Sequence, residues 1–139
     1  MAELMANVEA ITLFVEDLPR STEFYLNVFE GAKVIYEDEE SVLFRFTDST
    51  LVNLLQTSSA PELVEPMAVG KPGHGPRLLL TIHVPDVDTL VAQLAERGVP
   101  LLNGPIDRRW GRRTATFVDP SGHVWEIAQT LVSGPAELT

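Results

Sequence analysis

Residues 119–129, with the sequence DPSGHVWEIAQ, are the most informative part of the chain about its fold. The first four of these residues have the composition of a tight turn, because proline presets φ and glycine tolerates positive φ. The next residues are rich in valine, tryptophan and isoleucine, which favour β-strands. The stretch therefore predicts a turn that leads into a strand, and this strand carries one carboxylate, Glu126.

The chain contains one layout twice. Residues 11–18 and residues 80–87 are each a β-branched, alternating run that predicts a strand, and each run is followed by a helical pattern of apolar residues. Each helix is predicted to start at an N-capping aspartate and to end at a C-capping glycine. These residues are Asp17 and Gly31 in the first copy, and Asp86 and Gly98 in the second.

Three further strand-like runs follow each helix. They cover about residues 33–38, 41–47 and 50–57 in the first copy, and about residues 99–106, 112–119 and 123–130 in the second. The proline- and glycine-rich residues 58–76 predict a linker with a short helical turn at Pro61–Val64. We therefore predict a single domain over residues 1–139, with one βαβββ module at about 8–57 and a second at about 77–130.

The composition narrows the function. The chain has 139 residues, a formal net charge of −10 and no cysteine. The negative charge argues against a nucleic-acid partner, and the lack of cysteine excludes disulfides and thiolate metal sites. We expect no membrane partner, because no apolar run approaches the roughly 18 residues of a membrane span. Without a pattern typical of an export signal, we expect a cytoplasmic protein. The charge itself either serves solubility or attracts a cationic ligand.

Taken together, the repeat, the Val15–Leu18 start of the first helix and the DPSGHVWE ending resemble the vicinal oxygen chelate superfamily. This superfamily contains glyoxalases, bleomycin resistance proteins and extradiol dioxygenases, and the resemblance covers residues 8–130. It implies an α+β fold, in which two βαβββ modules form a curved mixed sheet around a cavity. It also implies a homodimer. The metal-free, bleomycin resistance-like branch is the most similar.

The same resemblance implies where a metal would bind. In metal-using members, the ligands come from the first and last strands of each module, and the matching positions here are Ala10, Asn53, Leu79 and Glu126. Alanine and leucine have no donor atom, so we expect no metal and no other cofactor. By strand alternation His83 lies on the same face as Leu79, and we expect it to line the cavity wall.

Other cavity-lining residues follow from strand alternation and from the resemblance. On the first strand, Thr12 and Phe14 are predicted to face the cavity, together with Asn53 from the last strand of that module. Glu126 is the catalytic candidate on the cavity floor. It has three possible roles: a structural partner of an arginine, a recognition group for a ligand amine or hydroxyl, or a general base.

An arginine-rich stretch at residues 108–113 stands out in this acidic chain. Four of the ten basic residues lie within these six positions, around Trp110 and Gly111. Trp110 offers a stacking surface, and we expect it to stack on a ligand. Arg113 is expected to bind the ligand as well. The alternative is that these arginines pair with neighbouring acidic groups.

The leading hypothesis is a metal-free protein that binds a small organic molecule, aromatic or cationic, and sequesters an antibiotic. The alternative is a lyase, isomerase or dioxygenase-like enzyme that uses Glu126 as a base or a metal ligand. A third hypothesis is a structural or regulatory protein without a ligand. Stabilisation by a specific ligand separates this third class from the others.

Overall fold

Each half of the chain folds into a four-stranded mixed sheet with one helix packed against it. The computed structural model describes residues 8–47 and 49–131. The first half contains β1 (Ala10–Val15), α1 (Leu18–Val28), β2 (Lys33–Glu37), β3 (Ser41–Arg45) and β4 (Leu51–Gln56), followed by the short α2 (Pro61–Val64). The second half contains β5 (Leu79–His83), α3 (Val87–Glu96), β6 (Asn103–Arg108), β7 (Arg112–Val118) and β8 (Val124–Thr130).

The two halves form separate compact units, and the boundary along the chain lies between Gly70 and Lys71, in the predicted linker. We call them unit 1 and unit 2. The strand order is β1-β4-β3-β2 in unit 1 and β5-β8-β7-β6 in unit 2. In each unit the first and last strands pair in parallel and the other pairs are antiparallel. The predicted α+β class with two βαβββ modules is therefore confirmed, and so is the helical turn at Pro61–Val64.

Both major helices begin at the predicted aspartate. A carboxylate oxygen of Asp17 accepts a hydrogen bond from the backbone N–H of Arg20 at 3.1 Å. Asp86 accepts one in the same way from Thr89 at 3.3 Å. Each bond satisfies a backbone donor that has no partner inside the helix.

The helix ends differ from one unit to the other. Gly98 follows the C-cap of α3 with a φ of 78°, so the predicted glycine cap is confirmed there. The prediction for Gly31 is wrong, because α1 already ends at Val28 and its C-cap is Phe29. Phe29 has extended backbone angles, and its ring stacks on that of Phe46 with the ring centroids 4.9 Å apart.

A glutamine at the end of the last strand ties each sheet to its helix. In unit 1, Gln56 accepts a hydrogen bond from the N–H of Leu18 at 3.1 Å and donates one to the carbonyl of Glu16 at 2.6 Å. In unit 2, Gln129 accepts one from the N–H of Val87 at 2.9 Å. The two units are therefore alike in this detail as well as in topology.

The sheet of unit 2 has two different faces. Ala115, Phe117, Trp125 and Ile127 are buried on the face that α3 covers. We call the opposite side the far face of unit 2. One row of this far face crosses all four strands, because register places Thr81 beside Glu126, Glu126 beside Thr116 and Thr116 beside Asn103. All four members of the row are polar.

A bulge in β6 positions one end of this row. Pairing between β6 and β7 shifts between Asn103 and Ile106. Gly104 lies in the bulge with a φ of 92°, and a Cβ there would lie 2.5 Å from the carbonyl oxygen of Thr114. Only glycine fits both the backbone angle and the close approach.

None of the helices in residues 8–47 and 49–131 has the length and apolar character of a membrane-spanning helix.

Candidate ligand pocket on unit 2

A pocket of about 680 Å³ opens on the far face of unit 2. Its volume falls in the range of small-molecule sites, which is about 300–1,000 Å³. The wall contains leucines and a tryptophan, together with a few polar and charged groups. The lining residues are Pro76, Arg77, Leu78, Leu79, Leu102, Asn103, Arg108, Trp110, Thr116, Val124 and Glu126.

Glu126 supplies the acidic group of the pocket. Its Oε1 accepts a hydrogen bond from the hydroxyl of Thr81 at 2.9 Å. Among the described residues its Oε2 has no partner, and no basic side chain pairs with it. The carboxylate is thus oriented by the neighbouring strand and retains one oxygen for a ligand.

Thr116 contributes a buried hydroxyl beside Glu126. Thr116 is only 6% exposed, and its Oγ1 has no hydrogen-bond partner within residues 8–47 and 49–131. A buried polar group without a partner costs roughly 1–3 kcal/mol. Because Thr116 also lines the pocket, a bound ligand can supply the missing partner.

The Arg108–Arg112 hairpin forms another part of the wall. Gly111 closes its three-residue turn with a φ of 86°, a backbone angle typical of such hairpins. Arg108 Nε donates to the hydroxyl of Thr114 at 3.0 Å, and its Nη2 donates to the side-chain oxygen of Asn103 at 3.4 Å. These bonds hold a guanidinium group at the pocket wall.

Trp110 lies at the tip of this hairpin and is 42% exposed. The guanidinium carbons of Arg108 and Arg109 lie 5.9 Å and 5.5 Å from its ring centroid. These distances are within the range of cation–π attraction. The indole is therefore positioned by its two neighbours and still presents surface to the pocket.

The residues predicted from the sequence do not all lie in one place. Trp110 and Glu126 line the same pocket. His83 lies on the far face of unit 2 but not among the pocket residues, and its Nε2 is 3.4 Å from the hydroxyl of Thr130. Trp125 is 3% exposed on the α3 face, as strand alternation predicts.

The remaining three candidates on the cavity side belong to unit 1. Thr12 and Asn53 are direct partners across β1 and β4, and Phe14 follows Thr12 on the same side of β1. The pairing of Thr12 with Asn53 matches that of Thr81 with Glu126 in unit 2. Asn53 and Glu126 are therefore equivalent positions, as the repeat predicts.

Arg113 requires a correction. It lies on the α3 face, because it pairs with Asp107 and Gln129, and Gln129 is three residues after Glu126 on β8, so its side chain has the opposite direction. Its Nη1 is 2.9 Å from Asp107 and its Nη2 is 2.9 Å from Asp88. Hydrogen bonds to Asp107 and Asp88 raise the pKa of Arg113 above its ordinary value. The structure thus separates Arg113 from Glu126, and of the two roles considered for it, pairing with acidic neighbours is the one observed.

Sequence reasoning did not assign four polar residues to the pocket: Arg77, Asn103, Arg108 and Thr116. A signal for Thr116 was present, because residues 114–117 alternate between threonine and an apolar residue. The same alternation would have placed Arg113 on the helix face. Asn103 had no such signal, because the bulge in β6 interrupts the alternation.

The residues of unit 2 do not fit a metal site. On its sheet Glu126 lies beside Thr81 and Thr116. His83 lies beside Ala128, with its Nε2 3.4 Å from the hydroxyl of Thr130. Across residues 8–47 and 49–131, no three histidine, aspartate or glutamate side chains form a group that could hold a metal ion. One carboxylate with neutral hydroxyl neighbours is fewer donors than catalytic zinc or iron sites use.

Comparison with known proteins identifies the family. The model of the Glyoxalase/Bleomycin resistance protein/Dioxygenase superfamily matches residues 7–127. The chain therefore belongs to this superfamily, as the sequence resemblance predicted.

Three similar proteins illustrate the range of the family. The uncharacterized protein YraH of Bacillus subtilis (strain 168) is 32% identical over 124 residues, which cover 87% of this chain and 96% of that protein. A glyoxalase/bleomycin resistance protein/dioxygenase from Nocardioides has a TM-score of 0.81 at 21% identity, covering 99% and 93% of the two chains. TnmS3, an antibiotic binding protein from Streptomyces sp. CB03234, has a TM-score of 0.68 at 26% identity, covering 93% and 99%.

Proposed function

We propose that this protein binds a small organic molecule in the pocket of unit 2 without a catalytic metal, and that antibiotics are among the molecules it can sequester. The observation that carries the proposal is the composition of the pocket. Leu79, Leu102 and Trp110 supply apolar and aromatic surface, and Glu126 supplies one oriented carboxylate. Such a site can recognise an organic molecule by shape and by a few polar contacts.

Two contributions would stabilise the bound ligand: burial of apolar surface and stacking on Trp110. The exposed leucines of the rim and the indole of Trp110 lose contact with water when a flat ligand enters. An aromatic pair with Trp110 adds about 0.5–1.5 kcal/mol beyond the burial itself. The second oxygen of Glu126 then accepts a hydrogen bond from the ligand, which fixes its orientation.

The family supports this proposal. TnmS3 is an antibiotic binding protein, and its identity to this chain is 26% over nearly the whole length of both. A protein that only binds needs the fold and a suitable pocket, and no catalytic group. The donor-poor surroundings of Glu126 agree with such a role.

A ligand screen tests the proposal. We expect an aromatic or heterocyclic compound to raise the thermal midpoint, because a ligand present at 100 times its Kd stabilises the folded state by about 2.7 kcal/mol. The same compound should bind more weakly to Trp110→Ala, whose own thermal midpoint should be close to that of the unaltered protein. If no compound from a broad antibiotic and metabolite library stabilises the protein, the proposal is wrong.

Metal analysis provides the second test. We expect less than stoichiometric transition metal in the dialysed protein, because the Ala10 and Leu79 positions lack donor atoms. Metal near one equivalent per chain that disappears in Glu126→Ala would instead support the enzyme alternative. Assays with a hemithioacetal and a catechol would then identify the reaction class.

We also propose that the protein works as a homodimer. The basis is the sequence resemblance, which implies paired chains. Light scattering at micromolar concentration should give twice the 15.3 kDa mass of one chain. A mass equal to that of one chain would contradict this part of the proposal.

A further inference from the structure

Glu126 and Arg108, two of the three charged residues that line the pocket of unit 2, carry opposite charges and do not form an ion pair with one another. Glu126 is held by Thr81, and Arg108 is held by Thr114 and Asn103. In the part of the chain that the structure describes, neither side chain pairs with an opposite charge. Hydrogen bonds to neutral neighbours thus hold each of these two charged groups in place.

The polar row of the far face sets their separation. Glu126, Thr116 and Asn103 lie side by side on β8, β7 and β6, and Asn103 accepts a bond from the guanidinium of Arg108. The same guanidinium also donates to Thr114 on β7, so it lies one to two strand spacings, about 5–10 Å, from β8. A flat molecule of about two rings can therefore reach from the carboxylate to the guanidinium.

We infer that the pocket binds a bipolar ligand: a flat molecule of about two rings with an amine at one end and a carboxylate or similar anion at the other. The inference rests on the proposed small-molecule binding and narrows it to a ligand class. The amine donates to Oε2 of Glu126. The anion accepts from Nη1 of Arg108, which has no acceptor among residues 8–47 and 49–131.

A ligand with only one charge fits this site less well. A purely cationic molecule would leave Arg108 unpaired and would be repelled by it, and Arg77 adds a second positive charge to the lining. A purely anionic molecule would face the same penalty at Glu126. A bipolar molecule satisfies both ends, and charge-assisted hydrogen bonds are roughly twice as strong as neutral ones.

Thr116 gives independent support. Its buried hydroxyl lies on the strand between those of Glu126 and Asn103 and has no partner among the described residues. Buried hydroxyls are rarely left without a hydrogen bond in native proteins. A ring nitrogen or oxygen at the middle of the ligand would supply the bond.

Three matched naphthalene probes test the inference. 6-(Aminomethyl)-2-naphthoic acid carries both charges, 2-naphthoic acid only the anion and 2-naphthylmethylamine only the cation. Titrations followed through the indole N–H resonance of Trp110 give the three affinities. We expect the bipolar probe to bind at least about tenfold more tightly than either singly charged probe.

Two variants assign the ends of the site. Glu126→Gln should weaken the bipolar probe and the amine about tenfold and leave naphthoic acid at least as tight. Arg108→Gln should weaken the bipolar probe and naphthoic acid and spare the amine. Glu96→Gln and Arg97→Gln make the same charge changes on α3, and they should leave all three affinities unchanged.

Each outcome decides the inference. It is overturned if the bipolar probe binds no more tightly than the others, if none of the three probes binds, or if each pocket variant weakens all three equally. Binding of a singly charged probe without preference would overturn the bipolar inference while leaving the proposed function in place. Only the failure of the wider ligand screen contradicts the proposed function itself.

Discussion

The side chain of Gln129 accepts a hydrogen bond from the backbone N–H of Val87 at 2.9 Å. The last strand of unit 2 thereby caps the first turn of its helix, and Gln56 does the same for Leu18 in unit 1. A helix N-terminus leaves its first N–H groups without partners inside the helix, so this contact joins sheet and helix where the helix needs an acceptor.

Gln129→Leu should lower the free energy of unfolding by about 1–2 kcal/mol, because the N–H of Val87 then loses its acceptor. Urea denaturation measures the change. Gln129→Glu is the matched control, since it keeps an acceptor oxygen and places a negative charge at a helix N-terminus, where it is favourable. Equal losses in the two variants would contradict the assigned role.

The two tryptophans should respond to truncation in opposite ways. Trp125 is 3% exposed and packs under α3, so Trp125→Ala should cost about 3–5 kcal/mol of stability. Trp110 is 42% exposed, and Trp110→Ala should cost about 1 kcal/mol or less. Comparison of the two denaturation curves tests the assignment of faces. The reverse order of stability would show that the faces are exchanged.

Thr116 and Thr114 form a natural pair on one face of β7. In the described part of the chain the hydroxyl of Thr116 has no partner, so Thr116→Val should raise the free energy of unfolding of the ligand-free protein by about 1 kcal/mol. The hydroxyl of Thr114 accepts a bond from Arg108, and Thr114→Val should lower the stability. Thermal denaturation of both variants checks the opposite signs. A loss of stability in Thr116→Val would show that its hydroxyl is satisfied in solution.

Arg113→Gln should leave ligand affinity unchanged and lower stability only slightly. Its ion pairs with Asp88 and Asp107 are largely exposed, and salt screens such pairs. The stability difference should therefore shrink when sodium chloride is added. A large loss of ligand affinity would restore the original prediction that Arg113 binds the ligand.

Because of the turn between β2 and β3, the stability of the protein should depend on pH. Hydrogen bonds from the N–H of Glu40, the hydroxyl of Tyr36 and the N–H of Ser41 lower the pKa of Asp38. Because the folded pKa lies below the unfolded one, the carboxylate stabilises the fold above the unfolded pKa. This contribution is lost as pH falls through the folded pKa.

Carboxyl NMR titration measures this shift directly. Asp38 should titrate below its usual value of 3.8. Tyr36→Phe removes one donor and should move the pKa of Asp38 upward, toward the usual value. The bond also raises the pKa of Tyr36 above its ordinary value, which a phenol titration can follow. A pKa of Asp38 at or above 3.8 would contradict the hydrogen bonds at this turn.

Local patterns were enough to predict most of the fold. The alternation around Leu13 and Val15 predicted which side of β1 is buried, and the repeat predicted the equivalence of Asn53 and Glu126. Period and spacing are properties of the chain itself, so the sequence contains them. The early end of α1 was not predicted, because it involves the ring of Phe29 stacking on Phe46, which is remote in sequence.

The pocket was only partly predictable. Trp110 and Glu126 stand out by type and spacing, and both line the pocket. The roles of Asn103 and Arg108 depend on the bulge at Gly104, which changes the pairing register of β6. A bulge needs one extra residue and a particular backbone angle, and neither changes the hydrophobic pattern enough to be recognised beforehand.

In each unit the glutamine cap and the candidate ligand-binding position lie on opposite sides of the sheet. Gln56 and Gln129 act at the helix side of the two sheets, whereas Asn53 and Glu126 occupy equivalent places on the opposite side. Substitutions on that opposite side therefore leave the hydrogen bonds of the glutamine caps unchanged. In a protein with two such modules, one module can carry a charged group on its exposed sheet face while the equivalent position in the other module stays neutral. The helix caps are kept in both.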